Sequence, residues 1–459
     1  MQKSSYIIEP IDGNKYSDLL TIFGELSGSP WSLLIDSAGS GECSNQYDIV
    51  MHSPLYTIVT KGSQTIVTNT ATNIKRVSFE DPIREARLLH RAFKNSIAEV
   101  KGNFPQDMPF IAGIAGIFGY DLGRRFETLP TPFKNNYQCP DLALGLYTRS
   151  LVLDKKNKVI YDCRPKNSTR FNQSENVHVS NSNAFKLNTT WRSNFEKSTY
   201  IDGLHKIHEY LIAGDCYQVN FAQRFSAKYQ GDEWQAYLKL REANKAPFSA
   251  FMRLPESSIV SISPERFLSV RGNKVQTKPI KGTRPRSSDP EKDKENAQAL
   301  LNSSKDRAEN LMIVDLLRND ISKHCVPHSV KVPTSFALES YAAVHHMVTT
   351  IEGELDQTSD PFSLLRDAFP GGSITGAPKI RSMQIIDELE PDARNIYCGS
   401  VGYIGLNDDM DTSICIRTLL FEQGNVYCWA GGGIVLGSDA ESEYQETLDK
   451  VNKILPVLS

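Results

Sequence analysis

One lysine of the chain, Lys281, has a sequence setting that suits nucleophilic chemistry. It follows an isoleucine and precedes a glycine near the end of a predicted strand, within residues 277–286. Residues 267–270 and a second strand that starts at Val275 flank a Gly-Asn pair, which predicts a tight hairpin. Strand alternation places Lys281 on the same face as Val275, and a lysine among apolar groups loses its proton more easily. The alternative is a solvated lysine at a strand end.

A carboxylate across this predicted hairpin could serve the same reaction. Glu265 precedes the first strand of the hairpin, which brings it towards Lys281. A glutamic acid beside a nucleophilic lysine can act as a general acid on a leaving hydroxyl group. The alternative is an ion pair between Glu265 and the adjacent Arg266.

Three further glutamates indicate a site for a hard cation. Glu443 and Glu446 share one face of a predicted helix at residues 439–455, and Glu309 lies near the start of another predicted helix. Mg²⁺ binds one or two carboxylates and keeps positions for water and substrate oxygens, so a glutamate from each of two helices suits it. The alternative is a surface salt-bridge ladder with Lys450.

Glycine-rich segments and one arginine predict an anion-binding surface. Residues 369–379 have phosphate-loop spacing, but Ala377-Pro378 replaces the required Lys-Ser/Thr, which excludes nucleotide binding. The loop still ends at a predicted helix N-terminus, which favours an anion. The glycines at 431–433 leave backbone open to a carboxylate, and Arg417 on an apolar strand requires an anionic partner.

Composition indicates a globular protein without a global field for nucleic acid. The 459 residues are 40% hydrophobic and 23% charged, with a net charge of −3. None of the eight cysteines forms a C-x-x-C pair, which argues against a zinc site or a disulfide scaffold and suits the cytoplasm. The first residues lack a signal-type apolar core, and no apolar run is long enough to span a membrane.

The chain divides by composition into an N-terminal region at residues 1–165, a polar linker at 166–197 and a catalytic region at 198–459. Periodicity predicts helices at residues 81–101, 200–213, 289–302, 378–389 and 439–455, with a further helix capped by Ser303 or Ser304. The last helix begins with a capping box at Ser438. Alternation predicts strands at residues 111–121, 142–153, 159–163, 217–225, 326–336, 343–353, 395–406, 412–422 and 425–434.

Seven ordered motifs in the last 260 or so residues resemble the chorismate-utilising enzymes. They lie at residues 263–267, 306–320, 344–348, 372–379, 397–403, 430–434 and 443–450. Residues 118–125 resemble the N-terminal part of the same family. The resemblance implies an α+β fold, in which two antiparallel sheets and helices form a layered sandwich.

Two positions distinguish reactions within this family. Members that add water have a lysine where this chain has Gln218, so the glutamine is typical of members that use ammonia. Anthranilate synthase has an alanine where this chain has Lys281. The resemblance therefore implies amination of chorismate to 4-amino-4-deoxychorismate, for p-aminobenzoate and folate synthesis. The alternatives are anthranilate synthase component I and a non-catalytic chorismate-binding sensor.

The resemblance also implies a role for each candidate residue. Lys281 attacks C2 of chorismate, Glu265 protonates the leaving C4 hydroxyl, and His346 orients the leaving side. Mg²⁺ is held by Glu309 and Glu446, with Glu443 close by. The residues implied in substrate binding are Gln218, Thr375, Tyr397, Arg417, Gly432, Gly433 and Lys450.

A separate subunit is implied as the source of ammonia. The chain has no cysteine in a G-x-C-x-G elbow, so a glutamine amidotransferase, component II, is expected as partner. Some members of the family hold tryptophan in the N-terminal region. Residues 30–37 and the loop at 39–45 depart from that pattern, which leaves a tryptophan site open.

Overall fold

Alternating strands and amphipathic helices of this chain build two large β-sheets with helices packed against them, as a computed structural model shows. The structure describes residues 3–11, 18–38, 46–129, 135–171, 183–341 and 344–459. The predicted α+β class with two largely antiparallel sheets is confirmed. No helix in these described ranges is long and apolar enough to cross a membrane.

The strands are β1 Ser4–Pro10, β2 Leu33–Asp36, β3 Tyr47–Met51, β4 Tyr56–Lys61, β5 Gln64–Asn69, β6 Lys75–Ser78, β7 Ile97–Gly102, β8 Gly113–Phe118, β9 Leu142–Tyr147, β10 Ser150–Asp154, β11 Val159–Pro165, β12 Lys186–Leu187, β13 Arg192–Ser193, β14 Gln218–Gln230, β15 Phe248–Arg253, β16 Ser258–Ser263, β17 Arg266–Arg271, β18 Lys274–Lys278, β19 Ile280–Pro285, β20 Lys331–Ser340, β21 Val344–Glu354, β22 Gly376–Ala377, β23 Ser400–Gly405, β24 Met410–Ser413, β25 Thr418–Glu422 and β26 Asn425–Ile434. The α-helices are α1 Leu19–Leu26, α2 Pro82–Ser96, α3 Lys197–Ala213, α4 Glu233–Asn244, α5 Pro290–Asn302, α6 Ser304–Ser322, α7 Pro361–Ala368, α8 Lys379–Leu389, α9 Ala440–Val451 and α10 Leu455–Leu458.

Both sheets combine strands from the two ends of the chain. The first sheet has the order β12-β14-β26-β25-β16-β15-β2-β3-β10-β11-β1-β7, and β13 and β22 also pair with β14. The second has the order β19-β21-β18-β17-β24-β23-β8-β9-β4-β5-β6, with β20 on β21. Strands from residues 1–165 thus continue each sheet that residues 198–459 begin, whereas the boundaries proposed at 165 and 197 stay predictions.

The main core lies between the two sheets and joins apolar side chains of both regions, such as Leu33, Ile114, Leu268 and Ile404. Separate apolar clusters lie beneath α1 and α4 and beneath α3 and α8. Burial of these side chains between layers supplies the main driving force for folding. The strands that carry the candidate residues therefore have a rigid support.

Many predicted elements are present, although several boundaries differ. The helices at 200–213, 289–302 and 378–389 correspond to α3, α5 and α8, and Ser303 caps α6 by accepting a hydrogen bond from Asp306 N. The helix predicted over 81–101 ends at Ser96, and the chain continues as β7. Parallel pairing of β7 with β1 explains this difference, because the tertiary pairing overrides the helical period.

Two predicted strands are each two strands in different sheets. Residues 142–153 form β9 in the second sheet and β10 in the first, and residues 412–422 form β24 and β25 in the same way. Alternation continues across the change of sheet, so it does not reveal the crossing. Residues 39–45, residues 172–182 of the predicted linker and the first residue of the strand predicted at 343–353 lie outside the described residues.

Candidate active site

The predicted hairpin is present and delivers Lys281 to a buried position. β17 and β18 pair in antiparallel register around a turn in which Gly272 has a φ of 59°, a conformation that favours glycine. The chain then enters β19, which pairs with β21 with an irregularity between Ile280 and Thr283. Val275 and Lys281 are both buried, so the alternative of a solvated strand-end lysine is wrong.

The ammonium group of Lys281 is held by oxygens. Its Nζ donates to Glu309 Oε1 at 2.9 Å and to the Ser373 carbonyl at 3.3 Å. Burial lowers the pKa of Lys281, but the carboxylates of Glu309, Glu265 and Glu446 outweigh burial and hold that pKa above its ordinary value. The expectation that Lys281 loses its proton easily is therefore wrong for this arrangement, because a carboxylate and not an apolar side chain faces it.

Glu265 has the protonation behaviour of a general acid. It is buried, and it accepts a hydrogen bond from Ser373 Oγ at 2.9 Å. Burial raises its pKa to about 7, although Lys281 and the Ser373 hydrogen bond oppose that rise. The neighbouring Arg266 pairs with Asp411 at 3.0 Å. A single residue, Ser373, thus contacts both Lys281 and Glu265.

Three glutamates pair with three lysines at the site, and Lys305, Glu446 and Lys450 are exposed. Besides the Lys281–Glu309 pair, Lys305 pairs with Glu443 at 3.1 Å and Lys450 with Glu446 at 2.6 Å. Gln218 Nε2 donates to Glu309 Oε1 at 2.7 Å, and Gln218 Oε1 is buried without a hydrogen-bond partner. The site therefore holds its carboxylates against protein cations and amides.

The predicted capping box of α9 is wrong in detail. Asp439, and not Ser438, caps the helix by accepting a hydrogen bond from Ser442 N. Ser438 Oγ instead donates to Glu443 Oε1 at 2.6 Å. Ser438 therefore stabilises the Glu443 carboxylate instead of capping the helix.

Two glycines of β26 bring backbone against these side chains. A Cβ at Gly433 would lie 1.9 Å from Gln218 Nε2 and 2.7 Å from Glu309 Oε1. A Cβ at Gly432 would lie 3.1 Å from a Glu443 oxygen and 3.6 Å from Glu446 Oε1. The backbone of β26 thus lies close to Glu309 of α6 and to Glu443 and Glu446 of α9.

The donor set at these glycines fits a two-carboxylate magnesium site. Glu309 and Glu446 supply hard oxygen ligands, which Mg²⁺ prefers. Within the described part of the chain, no group of three or more His, Cys, Asp or Glu side chains forms a metal centre by itself. The magnesium site at Glu309 and Glu446 therefore stays a prediction.

A buried cation and a neutral histidine lie along another side of the site. The prediction that Arg417 lies within a strand is wrong. Arg417 lies between β24 and β25 and has a φ of 51°. Burial lowers its pKa, and no carboxylate of the described residues pairs with it. His346 shares a hydrogen bond of 2.8 Å with Thr283 Oγ1, and burial, followed by Arg417, lowers the His346 pKa to about 3. His346 is thus neutral at physiological pH.

Two other predicted substrate-binding residues have structural contacts of their own. The Tyr397 ring stacks on Trp429, with centroids 6.0 Å apart and planes at 5°. Thr375 Oγ1 donates to the Gly371 carbonyl at 3.0 Å and so closes its own loop. Their contacts with substrate stay predictions, as do the roles of the other candidate residues.

Sequence reasoning missed the residues that hold the candidates in place. Ser373 contacts Lys281 and Glu265, Thr283 contacts His346, and Lys305 contacts Glu443. The position of Ser373 within the motif at residues 372–379 was the available signal. A lone polar residue such as Lys305 carries no such signal, because its partner lies far along the chain.

A separate cavity of about 470 Å³ lies between the sheets. Its lining includes Asp36, Tyr47, Phe248, Arg271 and Tyr403, and none of the candidate residues. The chemistry-bearing side chains and this cavity are therefore distinct features of the fold.

The chain is similar to proteins that act on chorismate. A family model described as chorismate binding enzyme matches residues 43–456. Aminodeoxychorismate synthase component 1 of Escherichia coli (strain K12) is 47% identical over 439 residues, which cover 95% of each chain. Anthranilate synthase component 1 of Aquifex aeolicus (strain VF5) is 31% identical, over 96% of this chain and 92% of that protein.

A solved structure gives the same result. Anthranilate synthase component I from Streptococcus pneumoniae TIGR4 superposes with a TM-score of 0.75 at 26% identity, covering 90% of this chain and 93% of that one. The family match, the identity over nearly the full length and the shared fold agree. The chain belongs to the chorismate binding enzyme family.

Proposed function

We propose that the protein converts chorismate and ammonia to 4-amino-4-deoxychorismate. The observation that carries the proposal is the buried Lys281, which contacts Glu309 and shares Ser373 with Glu265. A candidate nucleophile and a candidate acid thus share one contact residue, which supports the proposal. The relatives named aminodeoxychorismate synthase component 1 support the same reaction.

Lys281 would act as the nucleophile of a double displacement. Its Nζ forms a bond to C2 of chorismate, the ring double bonds shift, and the C4–O bond breaks. Ammonia then attacks C4, the ring double bonds shift back, and the C2–N bond breaks to release Lys281. The lysine must first lose a proton, and the Glu309 carboxylate, 2.9 Å away, is the acceptor within reach.

Glu265 would donate the proton that the leaving C4 hydroxyl needs. A pKa of about 7 leaves a large fraction of Glu265 protonated near neutral pH, ready to donate to the C4 hydroxyl as it leaves as water. The resulting carboxylate can take the surplus proton from the attacking ammonia. The acid is thus restored in each cycle.

Arg417 and a bound Mg²⁺ would meet the negative charge of the substrate. No carboxylate of the described residues pairs with Arg417, which is suited to a carboxylate of chorismate, since a buried cation gains most from an anionic partner. Glu309 and Glu446, with Glu443 close by, would hold Mg²⁺. When bound, the ion would supply positive charge that orients the ring carboxylate of the substrate.

Gln218 supports ammonia in preference to water as the second reactant. A neutral amide cannot remove a proton from water, whereas ammonia needs no such base to attack carbon. Its Nε2 is engaged with Glu309, which leaves the carbonyl oxygen as a buried acceptor. Anthranilate synthase is the alternative, supported by relatives at 31% identity.

The ammonia would come from a glutamine amidotransferase subunit. The designation component 1 of similar proteins supports a second component. We place the protein in the cytoplasm and its product in the supply of p-aminobenzoate for folate.

Replacement of the lysine tests the proposal. Lys281→Ala should lose most product formation from chorismate, Mg²⁺ and ammonium while keeping its unfolding midpoint within a few degrees of that of the native protein. Lys278→Ala is the matched control, because Lys278 lies in the same hairpin but pairs with Glu339. Product formation near the native rate in Lys281→Ala would reject the nucleophilic role.

A further inference from the structure

The largest fully buried charged side chain of the described residues, Arg394, lies behind the candidate site. It follows α8, and its Nε and Nη2 bind the two oxygens of Glu390 at 2.9 and 2.6 Å. A bidentate pair of this kind fixes the plane of the guanidinium group. Glu390 is itself anchored, since its Oε1 accepts a hydrogen bond from Ala222 N at 2.9 Å.

The remaining donors of Arg394 join two segments that carry site residues. Nη1 donates to the Ile374 carbonyl at 3.1 Å, and Nη2 donates to the Asn220 carbonyl at 2.8 Å. Asn220 N in turn donates to the Thr375 carbonyl at 2.9 Å. The guanidinium thus bridges the loop that contains Ser373 to the strand that contains Gln218.

Two aromatic rings complete the surroundings of the guanidinium. Its carbon lies 4.9 Å from the centroid of Tyr120 and 5.5 Å from that of Tyr397. Tyr120 belongs to the N-terminal region, and Tyr397 is a predicted substrate-binding residue. One side chain therefore sets the spacing of four segments around the site.

We propose that Arg394 is a positioning residue for the amination reaction, which places Ser373 between Lys281 and Glu265. Ser373 reaches Lys281 through its backbone carbonyl and Glu265 through its hydroxyl group. A shift of the loop would change both contacts together. Lysine cannot replace Arg394, because an ammonium group cannot bind Glu390 in a bidentate way and still reach two carbonyls.

A double-mutant cycle separates positioning from general support of the fold. This inference rests on the proposed function, so the rate of amination is the readout, with saturating chorismate, Mg²⁺ and ammonium. Arg394→Lys should lower kcat about tenfold in the native background. In a Ser373→Ala background the same change should lower kcat by only about threefold, because the hydroxyl contact with Glu265 is already lost while the backbone contact with Lys281 is kept.

Arg224 offers a matched control. Its guanidinium is also largely buried, contacts the rings of Tyr137 and Tyr427, and pairs with Asp392 at 3.3 Å. Arg224→Lys should lower the unfolding midpoint comparably to Arg394→Lys, with less than about a twofold change in kcat in either background.

Three outcomes would overturn the inference. These are a native kcat in Arg394→Lys, a loss that multiplies with that of Ser373→Ala, and an equal loss of kcat in Arg224→Lys. If Arg394→Lys does not fold, Glu390→Gln weakens the same hold on the guanidinium and enters the same cycle. Failure of the native protein to aminate chorismate would instead reject the proposed function.

Discussion

At the scale of residues, Lys281 and Glu265 hold their protons for different reasons. Glu309 keeps a proton on Lys281 through an ion pair, whereas burial keeps one on Glu265. The proposed reaction needs the acid protonated and the lysine neutral. In the proposed reaction, the Lys281–Glu309 ion pair would therefore have to release the lysine proton before attack.

Replacement of Glu265 by glutamine should reduce catalysis and raise stability together. Removal of the acid should lower kcat by roughly 10²–10⁴-fold, which steady-state rates with ammonium would measure. The pKa of Glu265 is raised from its ordinary 4.5 to about 7 by folding, so ionisation destabilises the native state. The contribution of Glu265 to the free energy of unfolding therefore falls as pH rises from about 4.5 to about 7.

Glu265→Gln avoids this loss. Urea unfolding at pH 8 should show a gain of up to about 3 kcal/mol over the native protein, shrinking to about 1 kcal/mol at pH 5. Glu354→Gln, at an exposed strand end, is the control and should show no comparable change. A gain that grows towards low pH would contradict the assigned protonation of Glu265.

Residue identities at the site were accessible from the sequence, but their charge states were not. The motifs picked out Lys281, Glu265 and Glu309, which the structure brings together. The sequence alone suggested a lysine among apolar groups, because strand alternation describes neighbours on the same strand. The group that decides the pKa of Lys281 comes from α6, which only the tertiary fold brings near.

At the scale of elements, β26 shapes the site because its glycines have no side chains. The backbone of Gly433 lies so close to Gln218 and Glu309 that a methyl group has no room. Since β26 is held between β14 and β25, the strand cannot move aside without loss of ladder hydrogen bonds.

Gly433→Ala should therefore disrupt the site more than the fold. We expect a loss of at least about 100-fold in amination, since a displacement of about 1 Å can cost that much. Gly437→Ala is the control, as nothing lies within 4 Å of a Cβ there. Steady-state kinetics and thermal unfolding of both variants would check this. A fully active Gly433→Ala would show that Gln218 and Glu309 need not hold their positions.

Element prediction succeeded where one pattern continues and failed where the chain changes layers. The helices α3, α5 and α8 follow their apolar stripes, and the hairpin of β17 and β18 follows its turn. The strands predicted at 142–153 and 412–422 contain crossings between sheets. Arg417 lies at the second crossing. The alternating pattern of residues 412–422 did not reveal the turn that positions this cation.

At the scale of the whole molecule, the two regions of the chain share their sheets and polar contacts. β2 pairs with β15, and β8 pairs with β23. Asn395 Nδ2 donates to the Cys139 carbonyl at 3.1 Å, and Asp121 accepts from Asn395 N at 3.0 Å. The catalytic region therefore depends on the N-terminal region for neighbours on both sheets.

A chain that starts at residue 198 should not fold cooperatively. It would expose the edges of β15 and β23 together with the apolar faces that pack between the sheets. Urea unfolding followed by circular dichroism should show one transition for the full chain and none for the truncated chain. A cooperative transition in the truncated chain would support independent domains at the predicted boundary.

The global architecture was predicted from family resemblance, and local patterns alone would not have produced it. Periodicity indicates strands and helices but carries no information about the order of strands in a sheet. The pairing of β2 with β15 spans more than 200 residues of sequence, and no local signal in either strand specifies the other.

The identity of the product distinguishes amination of chorismate from its alternatives. The full-length protein should be incubated with chorismate, Mg²⁺ and ammonium chloride, and the product identified by mass spectrometry with a parallel assay for pyruvate. We expect chorismate in which the C4 hydroxyl is exchanged for an amine, without release of pyruvate. Formation of anthranilate with pyruvate, or binding of chorismate without turnover, would contradict it.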